Sequence, residues 1–227
     1  EVDYLTLEYL AELTLSILAR QRLKDPQLGY AGDFLDVIRS LLLALKSQPQ
    51  LRIVTNAGGM NPAACARAVG EILAAAKLGD VPIGVVDGDD VTDLIGPWSE
   101  RYDFHNLDDD RAIVDEKLQL VSANVYFGGQ AIAQSLAEGA RIVITGRVAD
   151  ASLTVGPAVH HFGWRWDDWN RLAGATVAGH LIECGAQVTG GYSTEWASVR
   201  DLANVGYPIA ELEDDGSCTI TKPPGSG

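Results

Sequence analysis

Residues 53–62 have the sequence IVTNAGGMNP, in which a run of β-forming residues passes through two glycines into a helix start. Two similar transitions follow, VYFGGQ at 125–130 and IVITGRVAD at 142–150. In open parallel sheets, glycine turns of this kind bring backbone N–H groups and helix N-termini to one edge, where ligands bind. The repetition predicts an α/β fold with a binding site at the carboxyl ends of its strands.

The remaining segments extend this prediction along the chain. Alternating strand and helix patterns up to about residue 185 predict a predominantly parallel, Rossmann-like sheet flanked by helices, and the turn sequence DDGS at 214–217 predicts a C-terminal β-hairpin. The predicted strands are 2–7, 51–55, 82–86, 123–127 and 141–145, with hairpin strands at 209–213 and 218–221. The predicted helices are 8–24, 33–46, 62–78, 130–138, 151–162 with an interruption at Gly156-Pro157, and 167–184.

The domain organisation follows from the same pattern. We expect an α/β domain over residues 1–205 and a hairpin with a flexible tail over residues 206–227. The chain opens in a predicted strand with no preceding loop and closes in the Pro/Gly-rich run 222–227. We therefore expect it to be an internal piece of a longer polypeptide, or one half of a split one.

The composition disfavours several classes of partner. A net charge of −14 would repel phosphate groups, so neither nucleic acid nor an anionic membrane is expected as a partner. The charge says little about small ligands, because an acidic protein can still hold a local basic pocket. No apolar run approaches the ~18 residues of a membrane-spanning helix. Cys65, Cys184 and Cys218 are too few and too widely spaced for a disulfide framework or a CxxC metal site. Reduced thiols in a cytoplasmic protein are the better interpretation.

The first candidate binding loop comprises residues 56–61. Asn56, Gly58, Gly59 and Asn61 are predicted to cradle an anionic or carbonyl group, together with Gly129 of the second transition. Glycines let the backbone approach a ligand, and the dipole of the following helix attracts negative charge. The alternative is a tight turn that needs glycine, with Asn61 as a helix N-cap. The loop matches neither a Walker A motif nor G-x-G-x-x-G, so ATP and NAD are not inferred.

An acidic run, DGDD, follows the predicted strand 82–86. Asp87 is a candidate for acid/base chemistry, and Asp87 with Asp89 is a candidate Mg²⁺ site, because carboxylates suit both roles. The alternative is that Asp89 or Asp90 caps the next helix while the other side chains are solvated. No redox cofactor is predicted.

The segment TGRVADAS at 145–152 is the most specific candidate in the chain. Arg147 is predicted to bind a carboxylate or phosphate, and Asp150 to act as a base or to hold Arg147 in place. Gly146 and Ser152 belong to the same predicted binding loop. The alternative is that Asp150 caps the following helix and that Arg147 forms a structural salt bridge with it.

Three further glutamates lie at positions that bear on the predicted site. Glu8 is predicted to project into the edge that carries the glycine loops and to supply acid/base chemistry. Glu12 lies four residues later on a predicted apolar helix, where a buried carboxylate would need a partner such as Arg147. Glu183 shares a helical face with His180 at a spacing that suits a metal or a proton relay, but a structural role for His180 is favoured.

Several stretches together resemble the acyclic terpene utilisation AtuA-like family, formerly a domain of unknown function. The stretches occur in order over nearly the whole chain: 2–5, 10–12, 53–62, 86–91, 145–153 and 179–191. The resemblance implies a role in the catabolism of citronellol- and geraniol-type acyclic terpenes, alongside acyl-CoA enzymes. It also implies a glycine-rich strand and loop before Asp3 and a continuation beyond residue 227.

These observations predict an enzyme or enzyme subunit that acts on a carboxylate or acyl-CoA metabolite in acyclic terpene or branched-chain acid catabolism. A hydration, lyase or hydrolysis reaction would need no redox cofactor. The alternative is a non-catalytic ligand-binding or scaffold subunit of a larger acyl-CoA-processing complex. A third possibility is a Mg²⁺-dependent phosphoryl-group enzyme that uses Asp87 and Asp89. A homo-oligomer or a partner subunit is expected in each case.

Overall fold

The sheet at the centre of the molecule is parallel, as predicted. A computed structural model describes residues 2–113 and 120–227. The strands β1 (Tyr4–Leu7), β2 (Arg52–Thr55), β3 (Ile83–Val86) and β4 (Ile142–Thr145) form one four-stranded sheet in the order β1-β2-β4-β3. All three pairings are parallel, with Ile53 beside Ile142 in the β2–β4 register.

Helices flank both faces of this sheet. Within the described ranges they are α1 (Glu12–Lys24), α2 (Phe34–Ser47), α3 (Pro62–Ala75), α4 (Ile95–Ser99), α5 (Gln130–Ala137), α6 (Ser152–Phe162) and α7 (Trp169–Glu183). Side chains alternate between the faces of a strand, so Ile53 and Ile144 pack against α2 and α3. Val54 and Val143 pack on the opposite face with α5 and α6.

Two elements lie outside these layers. Helix α7 packs on α6 rather than on the sheet. The predicted C-terminal hairpin is confirmed as β5 (Ile209–Leu212) and β6 (Cys218–Thr221), which pair antiparallel and pack against α7. The indole N–H of Trp164 donates to the Asp214 carbonyl at 3.0 Å and fixes the turn of the hairpin.

The prediction of a strand at residues 123–127 is wrong. In this segment Asn124 and Phe127 form only isolated bridges, to Asp90 and Val148 respectively. The backbone N–H of Val125 donates to the Asp89 carbonyl at 2.8 Å. The segment therefore connects the loops that follow β3 and β4 instead of extending the sheet, although its β-forming residues resemble a strand.

Two predicted helix features also need correction. Helix α1 begins at Glu12, not at Glu8. The backbone N–H of Leu10 donates to the Glu8 side chain, and the backbone N–H of Tyr9 donates to the Asn56 side chain, so this segment is held outside the helix. Helix α6 runs through Pro157 without the predicted interruption. None of the helices among the described residues has the length and apolar character needed to cross a membrane.

Candidate functional site

The carboxyl ends of the four parallel strands bring most of the predicted site residues to one edge. Glu8 follows β1, Asn56 follows β2, and Arg147 follows β4 by two residues. Asp89 lies in the loop after β3 and contacts the Arg147 backbone. Helix α1 packs Leu18 against Met60 beside this edge. These chain segments therefore meet at the predicted location of the site.

Glu8 has a carboxyl group whose two oxygens have different surroundings. Oε1 accepts hydrogen bonds from the side-chain amide of Asn56 and from the backbone N–H of Leu10, the latter at 3.0 Å. Oε2 is buried and accepts no hydrogen bond from the described residues. Burial raises the pKa of Glu8 from 4.5 to about 7, outweighing the opposite effects of the hydrogen bonds and of the nearby Arg147.

Asn56 is fully buried and joins β2 to the end of β1. Its side-chain oxygen accepts the backbone N–H of Tyr9 at 2.8 Å, and its amide nitrogen donates to Glu8. Both ends of the amide are therefore used within the protein. Asn56 positions Glu8, whereas its predicted contact with a ligand stays a prediction.

The glycine loop after β2 is packed tightly. A side chain at Gly58 would place its Cβ 2.5 Å from the Thr145 carbonyl, and Gly59 has a φ of +51°, which favours glycine. Asn61 caps α3 by accepting the Ala64 N–H at 3.3 Å, and it also donates to the carbonyl of Leu28. These contacts are those of the tight-turn alternative, and they leave the ligand cradle as a prediction.

Arg147 is 2% exposed and is held from several sides. Its guanidinium donates to Asp150 Oδ1 at 2.5 Å and to the Leu10 carbonyl at 2.7 Å. The ring of Tyr126 covers the guanidinium, 4.1 Å from its centre, which is cation–π geometry. Nε is buried without a hydrogen-bond partner among the described residues. Arg147 thus joins the β1–α1 connection to the loop after β4.

The acidic run after β3 separates into different roles. Asp89 is 2% exposed and accepts the Arg147 backbone N–H and the Asn124 side-chain amide, each at 2.8 Å. Burial raises the pKa of Asp89 above its ordinary value. Asp87 is exposed and accepts the N–H of Gly88, while Asp90 forms an ion pair with Arg22 at 2.8 Å.

A Mg²⁺ site at Asp87 and Asp89 stays a hypothesis. The described parts of the chain contain no group of three or more His, Cys, Asp or Glu side chains arranged to hold a metal ion. The Oδ2 atom of Asp89 already accepts two hydrogen bonds from the protein.

The other predicted binding residues lie in close backbone contacts. A Cβ at Gly129 would lie 2.8 Å from the Gly156 nitrogen, where α5 and α6 meet, and a Cβ at Gly146 would collide with the Asp89 carboxylate. Ser152 is buried, and its hydroxyl donates to the Phe127 carbonyl at 3.4 Å. The two glycines allow segments to pack closely, and the ligand contacts of all three residues remain predictions.

A narrow cavity of about 20 Å³ opens beside Glu8. Its lining includes three carboxylates, Glu8, Asp150 and Glu183. The Oε2 atom of Glu183 is buried and, like that of Glu8, accepts no hydrogen bond from the described residues. The lining residues are Thr6, Glu8, Asp150, Leu153, Thr154, Gly179, Ile182 and Glu183.

Sequence reasoning missed Tyr126 and misjudged Glu12. The sequence predicts a strand at Tyr126, yet its ring stacks on Arg147 and its hydroxyl donates to Glu12 Oε1 at 2.6 Å. Glu12 is exposed and has this phenol as its hydrogen-bond partner, so the expected burial of Glu12 is wrong. His180 is also exposed, while Glu183 on the same helix reaches the cavity.

Comparison with known proteins identifies a family. The sequence model of the family described as acyclic terpene utilisation family protein AtuA matches residues 1–227, which is the entire chain given. No curated protein and no solved structure matches the chain. The family match agrees with the resemblance noted from the sequence.

Proposed function

The chain belongs to the acyclic terpene utilisation AtuA family, and from this membership and the Glu8 cavity we propose that it is a hydratase acting on an unsaturated acyl-CoA. The family name links the chain to acyclic terpene utilisation. Within that catabolism, or that of related branched-chain acids, the reaction would add water across a carbon–carbon double bond. The reverse dehydration would use the same groups.

The observation that carries this proposal is the environment of Glu8. A general acid/base works best when its pKa lies near the operating pH, because the group must both accept and return a proton. Burial raises the pKa of Glu8 to about 7. Asn56 and Leu10 hold one oxygen, which orients the carboxyl group and leaves Oε2 available at the cavity.

The charges around the cavity favour an acyl thioester over a free carboxylate as the reacting end of the substrate. Glu8, Asp150 and Glu183 line the cavity, and the nearby cation Arg147 is already paired with Asp150 at 2.5 Å. A further carboxylate would be repelled by its neighbours, whereas a neutral thioester carbonyl would not. Since the cavity measures about 20 Å³, the acyl chain would lie outside it and present its reacting carbon at the opening.

The proposed reaction balances without an oxidant or a reductant. The oxygen of water forms a bond to the β-carbon of the unsaturated thioester, and the π electrons move to the α-carbon. Glu8 accepts the proton that the water loses and returns a proton to the α-carbon. Arg147 keeps the Leu10 carbonyl and Asp150 in place, so the connection that carries Glu8 is held rigidly.

The test begins with a thermal-shift screen of the full chain against CoA, saturated and unsaturated branched acyl-CoAs, branched carboxylates and Mg²⁺. A ligand that binds the native state raises the melting temperature. We expect a shift with acyl-CoAs and a smaller one with free carboxylates. Mass spectrometry should then show that the unsaturated acyl-CoA gains one water.

Two variants make the result specific. Glu8→Gln should bind the acyl-CoA but lose the conversion, whereas Glu71→Gln, at an exposed position on α3, should behave like the wild type. Binding without conversion in the wild type, or conversion by Glu8→Gln, would refute the proposed acid/base role. Absence of any shift in a folded protein would favour the scaffold alternative.

The scaffold alternative has one observation of its own. Several aromatic side chains in the C-terminal third are strongly exposed, namely Trp169, Tyr192, Trp196 and Tyr207. Exposed aromatic side chains are typical of protein interfaces. We therefore also propose that the chain associates with a second copy or with a partner subunit, which analytical ultracentrifugation of the wild type and of Trp196→Ser would test.

A further inference from the structure

The cavity beside Glu8 has two buried acceptors from different elements. Glu8 Oε2 comes from the β1–α1 connection and Glu183 Oε2 from the last turn of α7. Neither atom accepts a hydrogen bond from the described residues, and both residues line the same cavity. A buried carboxylate oxygen without a donor is costly, so a donor is expected between them.

The close packing of α7 explains why Glu183 reaches this place. A Cβ at Gly179 would lie 2.9 Å from the Cα and carbonyl oxygen of Ala151, so the helix touches the backbone of the loop after β4. Glu183 is four residues beyond Gly179 and shares its helix face. The contact at Gly179 therefore directs Glu183 toward the cavity that Glu8 lines.

The size and chemistry of the cavity match a single water molecule. Its volume of about 20 Å³ exceeds the ~10–15 Å³ that one water requires. Water has two hydrogens to donate, one for each carboxylate oxygen, and it can accept a hydrogen bond in return from a hydroxyl such as that of Thr154. A divalent cation fits less well, because the described residues contain no metal-ligand group of three or more side chains.

We propose that Glu183 and Glu8 together bind one water molecule in this cavity, and that this is the water consumed by the hydration. The second half of this statement rests on the proposed function. In the reaction the water gives one proton to Glu8 as its oxygen bonds to the β-carbon. Glu183 holds the other hydrogen, which stays on the oxygen of the hydroxyl product. Glu183 is thereby assigned to the reaction as a residue that contacts the reacting water.

The site itself is tested by high-resolution crystal structures of the full chain. In the wild type we expect a water peak about 2.5–3.0 Å from both Oε2 atoms. Glu183→Leu should lose the peak, and Glu183→Gln should keep it because its side-chain carbonyl still accepts. Glu211→Gln, an exposed carboxylate on β5, is the matched control and should leave the peak unchanged.

Turnover of the unsaturated acyl-CoA tests the role of the water. We expect kcat to fall about tenfold or more in Glu183→Leu with KM little changed, and to fall less in Glu183→Gln, whereas Glu211→Gln keeps the activity of the wild type. Wild-type crystals with no water between the two oxygens, or with a cation at about 2.0–2.1 Å from them, overturn the proposal. A water peak with unchanged kcat in Glu183→Leu overturns the reactive role alone. If no acyl-CoA binds, the proposed function fails while the crystals still decide whether the water site exists.

Discussion

Arg147 and Glu8 are both removed from bulk water, but the protein compensates the two charges differently. Arg147 has Asp150, the Leu10 carbonyl and the Tyr126 ring around its guanidinium. Glu8 has donors for one oxygen only. A buried charge without full compensation is costly. Arg147 is therefore expected to stabilise the fold only while Asp150 is present, whereas ionised Glu8 destabilises the fold.

Replacing Asp150 by Asn should therefore destabilise the fold. The substitution leaves the Arg147 side chain, 3% exposed, without its carboxylate partner. We expect a loss of about 2 kcal/mol in the free energy of unfolding, below the ~3–5 kcal/mol of a fully buried pair because Asp150 is partly exposed. Urea denaturation measures the change.

Asp167→Asn provides the control for this experiment. It breaks the exposed ion pair with Arg165 and should change stability little. Equal losses in the two variants would contradict the assigned role of the Arg147–Asp150 pair.

Glu8 should make stability fall as the pH rises. Its pKa is about 7 in the folded protein and 4.5 when unperturbed. Below pH 4.5 the group is protonated in both states and has no effect. Between pH 4.5 and 7 the unfolded chain ionises first and binds fewer protons, so each pH unit lowers the free energy of unfolding. Above pH 7 the penalty is constant, on the order of 3 kcal/mol.

Comparing wild type with Glu8→Gln at pH 5 and pH 8 isolates this effect. The variant lacks the titrating group, so its stability relative to the wild type should rise between the two pH values. Denaturation curves measured in the same buffers give the difference. An unchanged difference between the two proteins would show that Glu8 keeps its ordinary pKa.

At the residue level, the sequence predicted positions better than contacts. Glu8, Asn56 and Arg147 lie at the predicted sheet edge because each follows a predicted strand within two residues. The pairing of Arg147 with Asp150, three residues away, is predicted and confirmed. The contact of Arg147 with Tyr126 is missed because it depends on tertiary packing, which has no local sequence pattern. The N-cap alternative for Asn61 is confirmed, and it follows from local chemistry alone because capping involves residues three apart.

At the level of elements, the strongest apolar runs were predicted best. The strands β2 and β4 are buried on both faces, so their inner side chains, Ile53, Val54 and residues 142–144, are apolar and β-branched, which favours a strand. The segment 123–127 has similar β-forming residues but no ladder partner, because it crosses between two loops at the edge of the sheet. The start of α1 was misplaced because Asn56, 47 residues away from Tyr9, accepts its N–H.

Two Gly→Ala substitutions, one at the contact of α7 with the loop after β4 and one on α3, should change the stability of the protein in opposite directions. Gly179→Ala should destabilise the protein by about 1–3 kcal/mol, because the added Cβ would lie 2.9 Å from Ala151 backbone atoms. Gly70→Ala on α3 meets nothing closer than 3.9 Å and should stabilise by about 0.5–1 kcal/mol through helix propensity.

Thermal or urea unfolding of these two variants decides whether the packing at Gly179 is tight. A stabilising Gly179→Ala would mean that α7 can move away from the loop, and the direction of Glu183 into the cavity would then lose its structural basis.

At the scale of the whole molecule, the excess of 31 acidic over 17 basic residues opposes compaction. Like charges lie closer together in the folded state than in the unfolded chain, so the net charge of −14 destabilises the fold. Added salt shortens the range of this repulsion from roughly 30 Å at 0.01 M to roughly 3 Å at 1 M. The buried Arg147–Asp150 pair is screened much less than the surface charges.

The melting temperature should therefore rise when NaCl is increased from about 0.01 M to about 1 M at pH 7. Salt also weakens exposed ion pairs such as Arg39–Asp36, but each contributes little, so repulsion dominates the result. At pH 4.5, the isoelectric point expected from the sequence, the net charge is near zero and the rise should largely disappear. Differential scanning calorimetry at both pH values separates the charge effect from salt effects on apolar surface, which persist at either pH. A melting temperature that falls with salt at pH 7 would mean that attractive pairs outweigh the net charge in this fold.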